Sequence, residues 1–270
     1  DSDTKIIKLN FDTRQIKDFS NMFCYCNNLE SLDLTSFDTS QATTIGFMFG
    51  YCLKLEKLDI SSFNTENVID ASSLFVRCAS LTSLDLSNFN TKNMKSMNNM
   101  FSGMDKLEKI DISHFNTSQT SNIGNLFNGC KVLEYVDLSC FEGAPLTNME
   151  HLFHFDEKLK KVKFGNLDTS KVTTMDYMFF GCYSLTEVDL DIFATNSLKT
   201  MKNMFDSCYS LKTIKLANFV TQQVSDFSNI FSNCQSLEKV YLNKFDSSKV
   251  TKMTNMFFNC TNLKELDLTT

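Results

Sequence analysis

The sequence predicts an α/β solenoid, with a parallel sheet on one face and short helices on the other. Three observations carry that prediction. Phenylalanine recurs every 26 residues, at 23, 49, 75, 101, 127, 153, 179, 205, 231 and 257. A second column stands at 11, 37, 63, 89, 115, 141, 193, 219 and 245, broken only by Leu167. Each period also holds a short alternating apolar segment followed by an apolar stripe at three-residue spacing. A fixed period of this length marks a chain whose units stack on their neighbours to bury a shared core.

The first element of each unit reads as a strand. Leu29, Leu32 and Leu34, and again Leu81, Leu84 and Leu86, set the pattern L-x-x-L-x-L. Apolar and polar residues alternate from Leu32 to Thr35, the period-two signal of a half-buried strand, so Asp33 and Thr35 face away from Leu32 and Leu34. The second element reads as a helix. Val172, Met175, Met178, Phe179 and Cys182 are spaced 3, 3, 1 and 3, which is one helical stripe. The triplet Asp168-Thr169-Ser170 precedes it, with counterparts in Asp38-Thr39-Ser40 and Asn116-Thr117-Ser118. Such side chains accept from the orphan N–H groups of a helix start or turn.

Ten units fit, roughly 3–28, 29–54, 55–80, 81–106, 107–132, 133–158, 159–184, 185–210, 211–236 and 237–262, with a final strand over 263–270. The first unit is one residue short before Phe11 and has Ile7 and Leu9 as its strand pair. At about 4.8 Å per strand, ten steps make an arc on the order of 50 Å long. The unbroken period argues for a single solenoid domain over 1–270. Neither end reads as a polar cap, and solenoids need caps. The chain is therefore expected to be a fragment of a longer protein.

Composition narrows the partners. The net charge of −6 argues against nucleic acid. No run of 18 apolar residues occurs, so direct membrane insertion is not expected. One Pro and eight Gly leave little turn chemistry outside the repeat.

The strand pattern matches the leucine-rich-repeat core, but Phe37 stands where that repeat has its Asn or Cys, and Thr39 where it has another Leu. The asparagine ladder of the common type is absent. The strings Leu-Thr-Ser-Leu-Asp-Leu-Ser-Asn-Phe-Asn-Thr (81–91) and Asp-Ser-Ser-Lys-Val-Thr-Lys-Met-Thr-Asn-Met-Phe-Phe-Asn-Cys (246–260) resemble the 26-residue repeats of BspA-like leucine-rich-repeat surface proteins. The resemblance implies an extracellular, cell-surface protein that adheres to a host matrix protein, a host cell-surface protein, a glycan or another microbe. It brings no catalytic residues and no cofactor.

Eight of the ten cysteines form one column, at 26, 52, 78, 130, 182, 208, 234 and 260, with Met104 and Asp156 in its gaps. The column shares the stripe of the first Phe column, so its thiols are expected to face inward and pack as small apolar groups. Parallel Cβ vectors on stacked units hold the Cβ atoms farther apart than the ~3.8 Å a disulfide wants. Reduced thiols follow, with only Cys24 and Cys140 outside the column. The cysteine spacing lacks the C-x-x-C pairs of a structural zinc site, and no metal is expected.

The three histidines are His114, His151 and His154. His151 and His154 lie three apart, on what reads as the outer side of the sixth helix, with Glu150 and Asp156 nearby and no third ligand clearly placed. We expect surface histidines and no enzyme activity, because no Ser/His/Asp set or glycine-rich phosphate loop is present.

The sheet face is the better candidate site. Its outward positions carry Asp33, Asp59, Asp85, Asp111 and Asp137 in one column, an acidic stripe. Tyr135, Lys161, Lys163, Lys215, Lys239 and Tyr241 then change its character toward the C-terminal half. In-register like charges cost energy that a cation or basic partner relieves. The reading is a non-enzymatic adhesion and recognition module that binds macromolecules through this face. Its rivals are a structural spacer and an intracellular recognition scaffold, which reduced thiols would suit.

Overall fold

Alternating Leu, Val and Ile positions turn into the core at the start of each unit and draw the flanking polar residues into short parallel strands. The computed structural model describes residues 7–8, 12–243 and 245–267. Among these residues the strands are β1 (Ile7–Lys8), β2 (Ser31–Asp33), β3 (Lys57–Asp59), β4 (Tyr135–Asp137), β5 (Lys161–Lys163), β6 (Thr213–Lys215), β7 (Lys239–Tyr241) and β8 (Glu265–Asp267). Pairing is parallel and keeps the repeat phase, with Leu32 beside Leu58 and Val240 beside Leu266. Leu9, Phe11, Leu268 and the rest of 268–270 lie outside the described residues.

Among the described residues the one sheet expected from the period is instead three sheets, β1-β2-β3, β4-β5 and β6-β7-β8. Backbone bonds still carry the phase across the gaps. Glu108 N–H donates to the Thr82 carbonyl at 3.1 Å, and Lys212 N–H to the Thr186 carbonyl at 3.2 Å.

The expected helices do not form. The only helical element among the described residues is a single 3-10 turn, Ser139–Phe141. In place of a helix, each unit runs through consecutive tight turns whose N–H groups alternate between two destinations. Phe19, Asn21, Phe23 and Tyr25 donate to Thr44, Gly46, Met48 and Gly50 of the next coil, while Met22, Cys24 and Cys26 donate back to Phe19, Asn21 and Phe23. An α-helix needs every N–H for the carbonyl four residues back, so half of its ladder is taken by the neighbouring coil. Left-handed backbone at two positions per unit completes the break. One column runs Asn21, Phe47, Ser73, Asn99, Asn125, His151, Tyr177, Asn203, Asn229, Asn255; another includes Tyr25, Tyr51, Arg77, Gly103, Gly129 and Phe155. Asn tolerates this region better than most side chains. Turns closed over three residues place an apolar side chain inward every third position, which imitates the helical stripe.

This turn ladder is more continuous than the sheet. Bridges join Asp18, Thr44, Asp70, Ser96, Asn122, Asn148, Thr174 and Thr200 without a break. Most members also close an Asx- or Ser/Thr-type turn, as Asp70 Oδ1 does by accepting the Ser72 N–H at 2.9 Å.

The threonine of the Asp-Thr-Ser triplet is not a helix cap. Thr39, Thr65, Thr91, Thr169, Thr195 and Thr221 are buried. Thr39 Oγ1 donates to the Asn64 carbonyl at 3.0 Å and accepts the Asn64 N–H at 2.8 Å, and Thr195 repeats this with Val220 at 3.1 and 2.7 Å. This buried threonine ladder stitches coil to coil from the position where the common leucine-rich repeat has a Leu, while Phe37 takes the asparagine position. The neighbouring Asp does act as a turn residue, since Asp38 Oδ1 accepts the Ser40 N–H at 2.8 Å.

One core cluster runs through the coils. The first Phe column stacks as a ring pile. Phe101, Phe127, Phe153 and Phe179 sit at centroid spacings of 5.6, 5.9 and 5.6 Å, with ring planes within 18° of parallel.

All ten cysteines are free. Cys52, Cys78, Cys130, Cys182, Cys208 and Cys234 are buried, and each thiol donates to the carbonyl of a Phe 29 residues earlier, as Cys182 does to Phe153 at 3.0 Å. Burial pushes the Cys52 thiol up to about 12 and holds those of Cys182 and Cys208 well above the usual range. Cys26, expected inside, is exposed, whereas Cys24, Cys140 and Cys260 are half-buried. At neutral pH Ellman titration of the native protein should therefore label Cys26 first and Cys24 next, with all ten reacting after denaturation, because only accessible thiolate reacts. Rapid native labelling of Cys182 or Cys208, mapped by mass spectrometry, would contradict the buried column.

Candidate functional site: the acidic sheet face

Strand alternation aims Asp59 outward beside the buried core positions, and parallel pairing sets it directly against Asp33. Asp85 and Asp111 continue the column across the gap in the sheet and are exposed, while Asp33 and Asp137 are half-buried. Between Asp59 and Asp85 the face dips into a groove of about 260 Å³ that also takes in Ser61 and Asn88.

Each aspartate has a structural task at the end of its strand segment. Asp59, Asp85 and Asp111 each accept the N–H of the serine two residues on, at 2.9 Å. Asp33 Oδ1 accepts the N–H and the hydroxyl of Thr35 at 3.0 and 2.7 Å. These hydrogen bonds hold Asp59, Asp85 and Asp111 below the ordinary carboxylate range, although Asp33 and Asp85 push Asp59 the other way. The turn bonds outweigh the repulsion between neighbours, so Asp59, Asp85 and Asp111 stay ionised at neutral pH. No ion pair reaches Asp59, Asp85 or Asp111 among the described residues.

The stripe ends in a salt bridge. In β4-β5, Asp137 faces Lys163 and Tyr135 faces Lys161. Lys163 Nζ lies 3.0 Å from Asp137 Oδ2. Burial works to raise the Asp137 pKa, but hydrogen bonds from Ser139 and Lys163 prevail and bring it to about 2. Tyr135 stays exposed. Farther on, Lys215 pairs with Tyr241 in β6-β7, and the Tyr241 hydroxyl donates to Glu265 Oε1 at 3.1 Å. Lys161 and Lys215 flank a second groove of about 470 Å³ over the sheet gap at 187–189, with Glu187 and Asp189 between them. The expected residues therefore fall into two groups, an acidic row and a mixed basic-aromatic surface, joined at Asp137–Lys163.

The histidines sit elsewhere. His114 engages the Leu86 carbonyl through a ring nitrogen at 2.9 Å. His151 and His154 were expected on an exposed helix, but that helix is absent and both are half-buried in the turn ladder. His151 stacks on Tyr177 at 4.7 Å. Burial, with help from His151, takes the His154 pKa down to about 4. Asp156 turns into the core instead of joining them. Among the described residues, no group of three or more His, Cys, Asp or Glu is placed to hold a metal ion, and no helix is long and apolar enough to cross a membrane.

The chain matches the family model described as Mycoplasma protein of unknown function, DUF285, over residues 3–109, 58–161 and 147–269. Among solved structures it is similar to a leucine-rich-repeat protein from Bacteroides ovatus, at 22% identity, 90% coverage of this chain, 74% of that one and a TM-score of 0.38. A leucine-rich cell surface protein from Faecalibacterium prausnitzii gives 18% identity, 92% and 75% coverage and a TM-score of 0.43. A leucine-rich-repeat protein from Eubacterium ventriosum gives 15% identity, 88% and 78% coverage and a TM-score of 0.46. None of the curated proteins matches the chain. The 26-residue repeat itself resembles that of BspA-like leucine-rich-repeat proteins.

Proposed function

The chain belongs to the family described as Mycoplasma protein of unknown function, DUF285, and we propose that it is a non-enzymatic recognition module at the cell surface, with the sheet face as its binding surface. The observation that carries this reading is the row Asp59, Asp85 and Asp111, held ionised by turn hydrogen bonds and displayed across successive coils, with Asp33 beside Asp59 in the strand pairing. Solenoids commonly bind along such extended faces. A surface of this charge suits a basic segment of a host matrix or cell-surface protein. Tyr135, Lys161, Lys163, Lys215 and Tyr241 supply a second contact area of mixed charge and aromatic character, so a partner that reads the whole face meets both.

The test replaces Asp33, Asp59, Asp85, Asp111 and Asp137 together by Asn and screens parent and variant against immobilised host matrix proteins. Asn keeps an acceptor for the Ser and Thr N–H groups, so the fold is expected to survive. Affinity for the partner is expected to fall at least about tenfold. Parent binding should weaken as salt rises, because exposed charges are screened over about 8 Å at physiological ionic strength. A partner that binds the variant as well as the parent, with no salt dependence, moves the site off the acidic row.

A further inference from the structure

The turn ladder carries a second grooved surface that the sheet-face reading does not use. One left-handed column there holds Tyr25, Tyr51, Arg77, Gly103, Gly129, Phe155 and Gly181 in successive coils. Left-handed backbone alone does not explain the glycines, because Tyr51, Arg77 and Phe155 adopt the same conformation, with φ of 60°, 60° and 58°. What differs is the space above them. The Arg77 side chain lies over Gly103, where an added Cβ would stand 2.5 Å from its Cδ, and the Phe155 ring lies over Gly181, with Cδ1 at 2.6 Å from such an atom. Gly129 is covered by neither, and a Cβ there would meet only Gly103 backbone, at 3.6 Å.

The result is a groove of about 480 Å³ that breaks the row of side chains. Tyr51 and Arg77 close one end, Phe155 and Tyr183 close the other, and Gly103 and Gly129 form the floor. Tyr51 and Tyr183 stand five coils apart, roughly 24 Å at ~4.8 Å per coil. Both ends are backed by further rings. Tyr51 stacks on Tyr25 at 4.6 Å, Tyr183 on Tyr209 at 4.9 Å, and Phe155 packs edge-on against Phe180 at 5.1 Å.

Between the aromatic ends the walls are polar and their charges balance. Arg77, Lys131, Asp105 and Glu157 line them. Lys131 and Asp105 pair at 3.1 Å. The other Asp105 oxygen, Oδ1, is buried and has no hydrogen-bond partner, so this side chain gains a bond by turning toward a hydroxyl donor. Asn99 and Asn128 add amides. The floor offers no backbone donor for an added strand, because the N–H groups of Arg77, Gly103 and Gly129 already bond to Ser102, Asn128 and His154. A peptide adding itself by main-chain pairing has no partner here.

We propose that this groove binds a neutral oligosaccharide. Flat rings at its two ends present apolar faces to the C–H faces of sugar rings. Planar carboxylate, amide and guanidinium groups between them supply the acceptors and donors that vicinal hydroxyls need. The coil step is close to the length of one sugar residue, so successive coils meet successive sugars. The balanced charge selects against sulfated or sialylated chains.

The test titrates the protein with short neutral oligosaccharides of glucose, galactose and N-acetylhexosamine, using calorimetry and protein-observed NMR. At least one is expected to bind, with shifts confined to Tyr51, Arg77, Gly103, Gly129, Phe155 and Tyr183. Phe155→Ala and Tyr183→Ala should each weaken it about tenfold. Gly129→Tyr fills the gap with a side chain the column already accepts at Tyr25 and Tyr51; the left-handed backbone at Gly129 makes it melt somewhat below the parent, but the folded variant should lose binding. The proposal is overturned if no neutral oligosaccharide binds at millimolar concentration, if only anionic glycans or an extended peptide bind there, or if folded Gly129→Tyr binds as the parent does.

Discussion

Replacing Phe127 by Ala is expected to destabilise the protein by about 3–5 kcal/mol, as for other fully buried Phe side chains. Phe127 is wholly buried between Phe101 and Phe153, at 5.6 and 5.9 Å. Removing it opens a void that neither neighbour can fill, because each is held in its own stack by the next coil. The loss includes two ring contacts, each worth about 0.5–1.5 kcal/mol beyond burial. Stability in a solenoid is a sum of units and nearest-neighbour interfaces, so the damage should concentrate in the coils around Phe127. Urea unfolding of Phe127→Ala beside the exposed control Asp85→Asn checks this. The control should change stability by less than about 0.5 kcal/mol. Equal losses at the two positions would overturn the inward and outward assignment of the repeat.

The second large effect has the opposite sign. Asp156 occupies a position that Cys fills in most other coils, and it is wholly buried. Its Oδ1 accepts the Cys130 N–H at 2.8 Å, while Oδ2 has no partner. Burial raises its pKa well above 3.8, against the lowering effect of the Cys130 and Gly129 N–H groups. The folded state therefore prefers the neutral acid, whereas the unfolded chain ionises near 3.8. Stability from this site is greatest below that value and is lost as pH rises toward the folded pKa. Asp156→Cys restores the thiol column and should stabilise the protein by about 1–3 kcal/mol near neutral pH, the range for an unsatisfied buried polar group. The gain should shrink in acid, below the unfolded carboxyl pKa. Paired denaturation curves in acid and at neutral pH measure it. A variant no more stable than the parent at neutral pH would mean that Asp156 finds a partner in solution.

The period, the strands and the inward columns were legible because they depend on side-chain polarity alone. Phe127, Leu133 and Val136 are apolar at core positions, and the structure buries them. The stripe that predicts helices has a second physical source. Met175, Met178 and Cys182 are buried at three- and four-residue spacing, which a stack of three-residue turns produces as readily as a helix. The distinguishing signal lay in the residues between them. The Asn99, Asn125, Asn203, Asn229 and Asn255 column marks left-handed backbone, and Asn at one fixed phase argues against a helix interior.

The threonine ladder is not legible because Thr39 and Thr169, in their Asp-Thr-Ser triplets, read equally well as local caps. A buried hydroxyl that serves a neighbouring coil leaves a trace only in its repetition. On the sheet face, the outward placement of Asp59, Asp85 and Asp111 was readable from alternation, but their turn bonds to Ser61, Ser87 and Ser113 were not. Those bonds reverse the expected energetics of the row. The turn-face groove was hidden because it is built from absences, Gly103 and Gly129, in a column whose side chains do not mark it as a wall.

Everything positioned above, from the aspartate row to the glycine groove, depends on the described residues forming two ladders of coils with no α-helix between them. Far-ultraviolet circular dichroism of the purified protein tests that claim most directly. The account predicts a spectrum without the paired minima of α-helix, before and after thermal cycling to a temperature below the melting transition. A clear helical spectrum, at the level of one two-turn helix per repeat, would contradict it and return the second half of each unit to the arrangement its apolar stripe first implied.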